Sequence, residues 1–216
     1  MQTVAVIDYG MGNLHSVAKA LGHVAEGHHQ IIVSHDPEQI LAADRVILPG
    51  VGAIRDCLAG MTSHGVIDVI REVVRSKPFL GICVGMQALI EFSEENGGTP
   101  CLGILPGRVN CFSTQAYQEG IRLKVPHMGW NQVHQEHGHP LWQGIAQDER
   151  FYFVHSYHVQ LGEPSQLAAS CEYGIKFAAA LRRENIFAVQ FHPEKSQRAG
   201  LKLFANFLRW DGQDPC

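Results

Sequence analysis

The chain has 216 residues, enough to bury a substantial core, and its 45% hydrophobic and 18% charged residues are ordinary for a soluble enzyme. Its net charge of −4 argues against a role on nucleic acid or on a membrane surface. No apolar run reaches the length of a membrane span and Asp8 interrupts the first apolar segment, so the sequence predicts a cytoplasmic protein whose six cysteines are reduced thiols.

The first half of the chain alternates short apolar segments with helix-forming ones. Strands are predicted at residues 3–7, 30–33, 45–48 and 79–82, and helices at 14–21, 56–61, 65–75 and 86–91. Gly22 is expected to end the first helix, while Asp36 and Pro37 have the N-cap and first-turn residues of another. This alternation predicts an α/β fold with a doubly wound, mostly parallel sheet flanked by helices.

The pattern changes after residue 96, where shorter strands separated by turns take over. Strands are predicted at residues 108–112, 122–125, 151–154, 166–171 and 177–181, the first two of them antiparallel. Ser196 is a candidate cap for a final amphipathic helix over residues 198–208. We therefore expect additional antiparallel strands in the C-terminal half and one domain over residues 1–216.

Cys83 follows a buried-strand pattern and lies between Gly81 and Gly85, with a helix-forming run after it. Gly-x-Cys-x-Gly in this context is the cysteine form of a nucleophile elbow, a strained turn that requires small neighbours. The backbone N–H of Val84 is then placed to donate to an oxyanion, and the helix N-terminus favours the thiolate. The pattern alone leaves open a buried structural cysteine.

A second apolar segment, residues 186–191, ends in His192-Pro193-Glu194. A cysteine nucleophile needs a base, and the base needs an orienting group; a kink at Pro193 can bring the Glu194 carboxylate to the imidazole. His155 is a weaker candidate base because no carboxylate stands two residues after it. Two strand ends carrying these groups match the placement of active sites in open α/β sheets.

Together, residues 81–87 and 191–196 resemble the class I (triad) glutamine amidotransferases. Residues 8–14, 49–52, 126–131 and 154–157 resemble one subfamily, the glutaminase subunit of imidazole glycerol phosphate synthase from histidine biosynthesis. The match runs nearly end to end, although Val84 stands where leucine is more usual.

The resemblance implies that Cys83 attacks the carboxamide of glutamine and that His192 protonates the departing ammonia. Glu194 would fix the imidazole tautomer, and water would cleave a γ-glutamyl thioester without a metal or an organic cofactor. The further residues that it implies are oxyanion donors (Val84, Val51), substrate contacts (Gly50, Gly52, Gln87, Glu91, Ser156, Tyr157) and interface positions (Asn13, Trp130, Asn131, Lys195). Without the family, a core position for Trp130 stays open.

A chain this short is not expected to hold a synthase domain as well, and ammonia released into the cytoplasm would be lost as ammonium. The resemblance implies a heterodimer with a (β/α)₈-barrel subunit that makes imidazole glycerol phosphate and an aminoimidazole carboxamide ribotide. Ammonia would cross near Trp130 and Asn131.

Three alternatives remain at this stage. Another trans-acting glutaminase, such as the pyridoxal phosphate synthase type, would not need residues 126–131. A cysteine peptidase or esterase would need neither Gln87 nor residues 49–52. A non-catalytic regulatory subunit would have lost a triad residue, and none is lost here.

The thirteen histidines do not show the spacing of a metal site. His28, His29, His134, His137 and His139 are therefore interpreted as surface-loop residues.

Overall fold

The computed structural model describes residues 1–113, 117–118 and 121–214. The helices of this part are α1 (Leu14–Ala25), α2 (Pro37–Ala42), α3 (Ile54–Ser63), α4 (Ile67–Val73), α5 (Val84–Ala88) and α6 (Gln197–Arg209). The first seven strands are β1 (Gln2–Ile7), β2 (His29–Ser34), β3 (Arg45–Gly50), β4 (Phe79–Cys83), β5 (Phe92–Ser93), β6 (Thr99–Pro100) and β7 (Gly107–Cys111). The others are β8 (Tyr117–Gln118), β9 (Ile121–Arg122), β10 (His127–Gln135), β11 (Glu149–His155), β12 (Tyr157–Leu161), β13 (Leu167–Glu172), β14 (Lys176–Arg183) and β15 (Ile186–Val189).

A nine-stranded sheet with the order β11-β10-β13-β14-β15-β4-β3-β1-β2 forms the centre of the fold. The strands from β15 to β2 in this order are parallel, whereas β14, β13, β10 and β11 extend the sheet by antiparallel pairing. A smaller sheet, β12-β7-β5-β6, accompanies it. The α/β fold with antiparallel strands in the C-terminal half is confirmed, and the central sheet is mixed.

The central strands are buried on both faces because helices cover the sheet. Every residue of β3, β4 and β15 is buried, including Gly81 within β4 and the strand-end residues Gly50 and Cys83. Helix α1 packs against α6, and α2 packs against α4. Such strands are continuous apolar runs, which is the pattern that predicted them. None of the helices in the described ranges has the length and hydropathy needed to cross a bilayer.

Helix α1 does not end at Gly22 as predicted but continues to Ala25. It ends where Glu26 and Gly27 adopt left-handed conformations, with φ of 48° and 77°. Gly22 is exposed, and a Cβ added there would meet no atom within 4 Å. The single glycine therefore weakens the helix without stopping it.

Three further predictions are wrong in part. The strand expected over residues 122–125 extends only to Arg122; residues 123–124 have no regular structure, and the chain bends at 125–126. Ser196 stands at the N-cap position of α6 but makes no capping bond, since its hydroxyl is used elsewhere. His139 is buried and caps the turn at Pro140 by accepting from the Leu141 N–H at 3.1 Å.

Gly22, which faces open space, and Gly85, which is packed against backbone, give a test of this fold. Gly22→Ala should raise the free energy of unfolding by about 0.5–1 kcal/mol, because alanine favours the helix and finds open space. Gly85→Ala should lower it by about 3 kcal/mol or more, since its Cβ would lie 2.0 Å from the Leu48 carbonyl oxygen. Urea unfolding of both variants measures this. Equal effects of the two substitutions would contradict the described packing.

Candidate active site

Cys83 is the last residue of β4 and immediately precedes α5, in a conformation that L residues rarely adopt. Its φ is 55° and its ψ is −112°. The neighbouring backbone approaches closely: a Cβ on Gly50 would lie 2.5 Å from the Gly85 N, and one on Gly81 would lie 3.0 Å from the Ala188 Cβ. A side chain at Gly50 or Gly85 would collide with backbone and one at Gly81 would be tightly packed, so the predicted nucleophile elbow is confirmed as a structural feature.

The second strand end brings a histidine and a carboxylate to the elbow. Strand β15 is parallel to β4, with Val189 opposite Ile82, so the segment after β15 passes beside Cys83. The His192 Nδ1 lies 2.8 Å from the Glu194 Oε1, across a single turn at Pro193. The Ser196 hydroxyl donates to the His192 carbonyl at 2.6 Å and accepts from the Tyr152 N–H at 3.0 Å, which ties this turn to β11.

The His192 imidazole is buried and electrostatically coupled to the cysteine. Burial lowers its pKa, but the charge of Cys83, a hydrogen bond with that sulfur and the bond to Glu194 outweigh burial and raise the pKa to about 10. His192 is therefore a cation at neutral pH, bonded to the sulfur on one side and to a carboxylate on the other. A Cys–His–Glu arrangement of this kind prepares an anionic sulfur for attack and a proton for a leaving group.

The Glu194 carboxylate is almost completely enclosed, with a side-chain exposure of 1%. Oε1 also accepts a long bond from the Asn13 Nδ2 at 3.4 Å, while Oε2 has no hydrogen-bond partner within the described ranges. Asn13, expected at an interface, thus contacts the triad itself. A buried carboxylate with one free oxygen depends on the protonated His192 for its stability.

A cleft of about 350 Å³ opens in front of Cys83. Of the expected site residues, nine line it: Val51, Gly52, Cys83, Val84, Gln87, Ser156, Tyr157, His192 and Lys195. Glu95, Pro126, Val154 and His155 complete the wall. The cleft brings together the carboxyl ends of parallel strands β3 and β4, as the general rule for such sheets requires.

Two of the expected substrate contacts lie outside this cleft. Helix α5 ends at Ala88, so Glu91 does not share a face with Gln87, and its carboxylate instead accepts from the Gly107 N–H at 3.0 Å. In this structure Glu91 is therefore held by Gly107 and does not line the cleft. Gly50 is packed behind the elbow, where its missing side chain admits Val84 and Gly85.

Sequence reasoning missed Gln190, which follows β15 directly and is fully buried. Its Nε2 lies 3.6 Å from the Cys83 Sγ. The Gln87 Nε2 donates to the Gln190 Oε1 at 2.9 Å and to the Tyr157 carbonyl at 3.1 Å. The only sequence signal for the contact between Gln190 and Cys83 was a glutamine inside an apolar strand pattern.

The segment with the expected oxyanion donor Val51 is held by bonds on both sides of the Gly50–Val51 peptide. The Tyr9 hydroxyl donates to the Pro49 carbonyl at 2.7 Å, and the Cys57 thiol donates to the Val51 carbonyl at 3.3 Å. Both donors are buried in the core.

Exposed apolar side chains stand next to the cleft. Met128 and Trp130 point outward from β10, with exposed fractions of 62% and 43%. The Trp130 ring meets Tyr152 edge-on, and the Lys195 Nζ lies 5.9 Å from the centre of the Tyr152 ring. Trp130 is thus not a core residue.

Within the described ranges, no three His, Cys, Asp or Glu side chains are arranged to hold a metal ion. The described cysteines are all free thiols: Cys57, Cys83, Cys101, Cys111 and Cys171.

Comparison with known proteins identifies the class to which this fold and site belong. The family model described as glutamine amidotransferase class-I matches residues 5–210, and the chain belongs to that family. The fold also matches a solved structure titled PurLQS from Thermotoga maritima, with a TM-score of 0.70, 18% identity and coverage of 96% of this chain and 98% of that one.

More specific likeness comes from curated relatives. The chain is 58% identical over 213 residues to the imidazole glycerol phosphate synthase subunit HisH of Pseudomonas putida, covering 99% of this chain and 100% of the relative. It is 57% identical to the protein of the same name from Methylococcus capsulatus, covering 98% of both chains.

The strain at Cys83 can be measured with two substitutions that both remove the sulfur. Cys83→Gly should be more stable to urea than Cys83→Ala by about 1–3 kcal/mol, because only glycine adopts this conformation without strain. Equal stabilities would contradict a strained elbow.

The charge state of His192 gives a pH prediction. An unperturbed imidazole releases its proton near pH 6.5, whereas folded His192 holds it to about pH 10, so its contribution to stability is full below 6.5 and is lost as the pH rises through 10. Nitrogen NMR of histidine-labelled protein should show a protonated ring across that interval. In Cys83→Ala the pKa should fall, since burial remains without the sulfur; an unchanged pKa would refute the coupling.

Proposed function

We propose that this chain is the glutaminase subunit of an imidazole glycerol phosphate synthase. The observation that carries the proposal is the buried Cys83–His192–Glu194 constellation in an open cleft, in a chain 58% identical over its length to a protein of that name. The substrate is glutamine, and the products are glutamate and ammonia that is handed to a second subunit.

The reaction proceeds in two halves. The Cys83 sulfur attacks the carboxamide carbon of glutamine, and the His192 cation gives its proton to the departing nitrogen, which leaves as ammonia. The resulting γ-glutamyl thioester is then attacked by water, from which His192 takes a proton, and glutamate is released with the thiolate restored. Glu194 holds the imidazole in the tautomer that keeps Nε2 towards the sulfur.

Backbone groups at the ends of β3 and β4 stabilise the oxyanion in this proposal. Val84 is the first residue of α5, so its N–H has no helical acceptor and is available to the substrate. The Gly50–Val51 peptide, between the bonds made by Tyr9 and Cys57, supplies the second donor.

The substrate's amino-acid end is bound on the opposite wall of the cleft. Gly52, Gln87, Ser156 and Tyr157 all line the cleft, and we assign the contacts with that end to them. Glu95 takes the role first expected of Glu91, because its carboxylate lines the cleft and attracts the α-ammonium group.

The partner is a (β/α)₈-barrel synthase subunit that forms a heterodimer with this chain in the cytoplasm. Exposed Met128 and Trp130 beside the cleft supply an apolar contact of the kind that interfaces bury. Lys195 at the cleft, Asn131 next to Trp130 and Asn13 beside Glu194 complete the proposed contact. Ammonia would pass from the cleft past Trp130 to the barrel.

Glutamate release from glutamine tests the proposal. The chain should be assayed alone, with the barrel subunit, and with the barrel subunit and its nucleotide ligand. Activity should rise with the liganded barrel and fall by at least about a thousandfold in Cys83→Ala, because the covalent route is lost. Activity indifferent to the barrel would remove the partner assignment. No activity under any of the three conditions would overturn the proposed function.

A further inference from the structure

A line of buried polar groups runs from β10, the second strand of the central sheet, to Cys83. Its inner half consists of the amides already described: Gln190 contacts the Cys83 sulfur at 3.6 Å, and Gln87 bonds Gln190 at 2.9 Å and the Tyr157 carbonyl at 3.1 Å. Gln190 and Gln87 have exposed fractions of 0% and 3%. Because both amides are almost completely buried, their orientation is set mainly by each other and by the Tyr157 carbonyl.

The outer half consists of two histidines that meet ring to ring. The His155 Nδ1 lies 2.8 Å from the same Tyr157 carbonyl, and its Nε2 lies 2.9 Å from the His127 Nδ1. The His127 Nε2 accepts from the Asn131 Nδ2 at 3.2 Å, and that amide also donates to the Glu172 carbonyl at 2.9 Å. Asn131 lies on β10 next to Trp130.

One arrangement of protons satisfies every member of this line. The Tyr157 carbonyl only accepts, so the His155 Nδ1 carries a proton and its Nε2 is an acceptor. The His127 Nδ1 must then donate, which leaves its Nε2 to accept from Asn131. Both rings are therefore neutral, and a further proton on either would set a donor against a donor.

The surroundings keep the rings in this state. His127 stacks between Phe153 and Tyr173, with ring centres 4.9 and 4.0 Å away. Burial lowers the pKa of His127 to about 4. Burial also lowers the pKa of His155, to about 3, against the opposing effect of its bond to the Tyr157 carbonyl.

We propose that Asn131, His127, His155, Gln87 and Gln190 form one positioning network that orients the Cys83 sulfur and ties it to strand β10. The last N–H of the network, on Gln190, points at the sulfur and stabilises it as an anion. A displacement of β10, where the partner contact is proposed, would shift these hydrogen-bonded rings and amides and so change the orientation of the Cys83 sulfur. The effect on turnover rests on the proposed function, whereas the effect on the sulfur does not.

The test uses substitutions that keep volume and remove hydrogen bonds. Gln190→Met removes the donor to the sulfur, and His127→Phe keeps a stacked ring but breaks the link to His155. Asn131→Ala removes the outermost donor at a half-buried position and is the variant least at risk of misfolding. His139→Asn is the matched control: it alters another buried neutral histidine, outside the network, and keeps an acceptor for the Leu141 N–H.

Two readouts are needed. Alkylation of Cys83 by iodoacetamide at neutral pH, followed by peptide mass spectrometry with exposed Cys111 as internal reference, reports on the sulfur without any turnover. Glutaminase kinetics of the chain with its barrel subunit report on catalysis. Gln190→Met and His127→Phe should each slow both rates by about tenfold or more, with KM changed by less than about threefold, while His139→Asn matches wild type.

The Gln190→Met/His127→Phe double variant distinguishes a network from two separate defects. Its alkylation rate should lie within about twofold of the slower single variant, because both changes break one chain. The proposal would be overturned if the fold-losses of alkylation rate in the two single variants multiplied in the double variant. It would also be overturned if His127→Phe and Asn131→Ala were alkylated at the wild-type rate. Wild-type protein without glutaminase activity would overturn the proposed function alone, since the alkylation test stands without it.

Discussion

The strained turn at Cys83 is the constraint on which the rest of the site depends. A side chain at φ 55° on a buried strand end is tolerated only because β3, β4 and α5 approach within backbone contact. Gly50 and Gly85 make that approach possible, and the same approach places Gly52 and Val51 at the cleft. The strain at Cys83 and the assembly of the proposed oxyanion region therefore have one cause.

The register of β15 on β4 supplies the other half of the site. Because Val189 lies opposite Ile82, the residues that follow each strand are brought together, and Gln190 and His192 reach the sulfur from the same segment. His192 is held from behind by Glu194 and by Ser196. The cationic ring of His192 lies between the buried Glu194 carboxylate and the Cys83 sulfur, and it stabilises negative charge on both.

Sequence alone predicts the parts whose chemistry is local. Gly81-x-Cys83-x-Gly85 and His192-x-Glu194 are short patterns with a steric or hydrogen-bonding reason for their spacing, and the structure has them as expected. Glu91 lies outside the cleft because helix α5 is shorter than its propensity indicated, and no local signal marks where packing ends a helix. The prediction that Gly22 ends α1 was wrong for the opposite reason: packing of α1 on α6 stabilises the helix beyond this glycine.

The polar network could not be read from the sequence because its members are far apart along the chain. His127 and His155 are 28 residues apart, and Gln190 and Cys83 are 107 apart. His127, His155 and Gln190 each appear in the sequence as an isolated polar residue in or beside a strand, and Gln87 appears in a helix. Only sheet register brings them together, and register between distant strands is a property of the whole fold.

The most direct test of the central claim is whether Cys83 forms an acyl intermediate. Glutamine hydrolysis by the complex should be followed with increasing hydroxylamine, measuring ammonia, glutamate and γ-glutamyl hydroxamate together. The thioester account predicts that hydroxamate replaces glutamate while ammonia release continues, and that all three products disappear in Cys83→Ala. Ammonia release accompanied by glutamate alone at every hydroxylamine concentration, or surviving in Cys83→Ala, would contradict it.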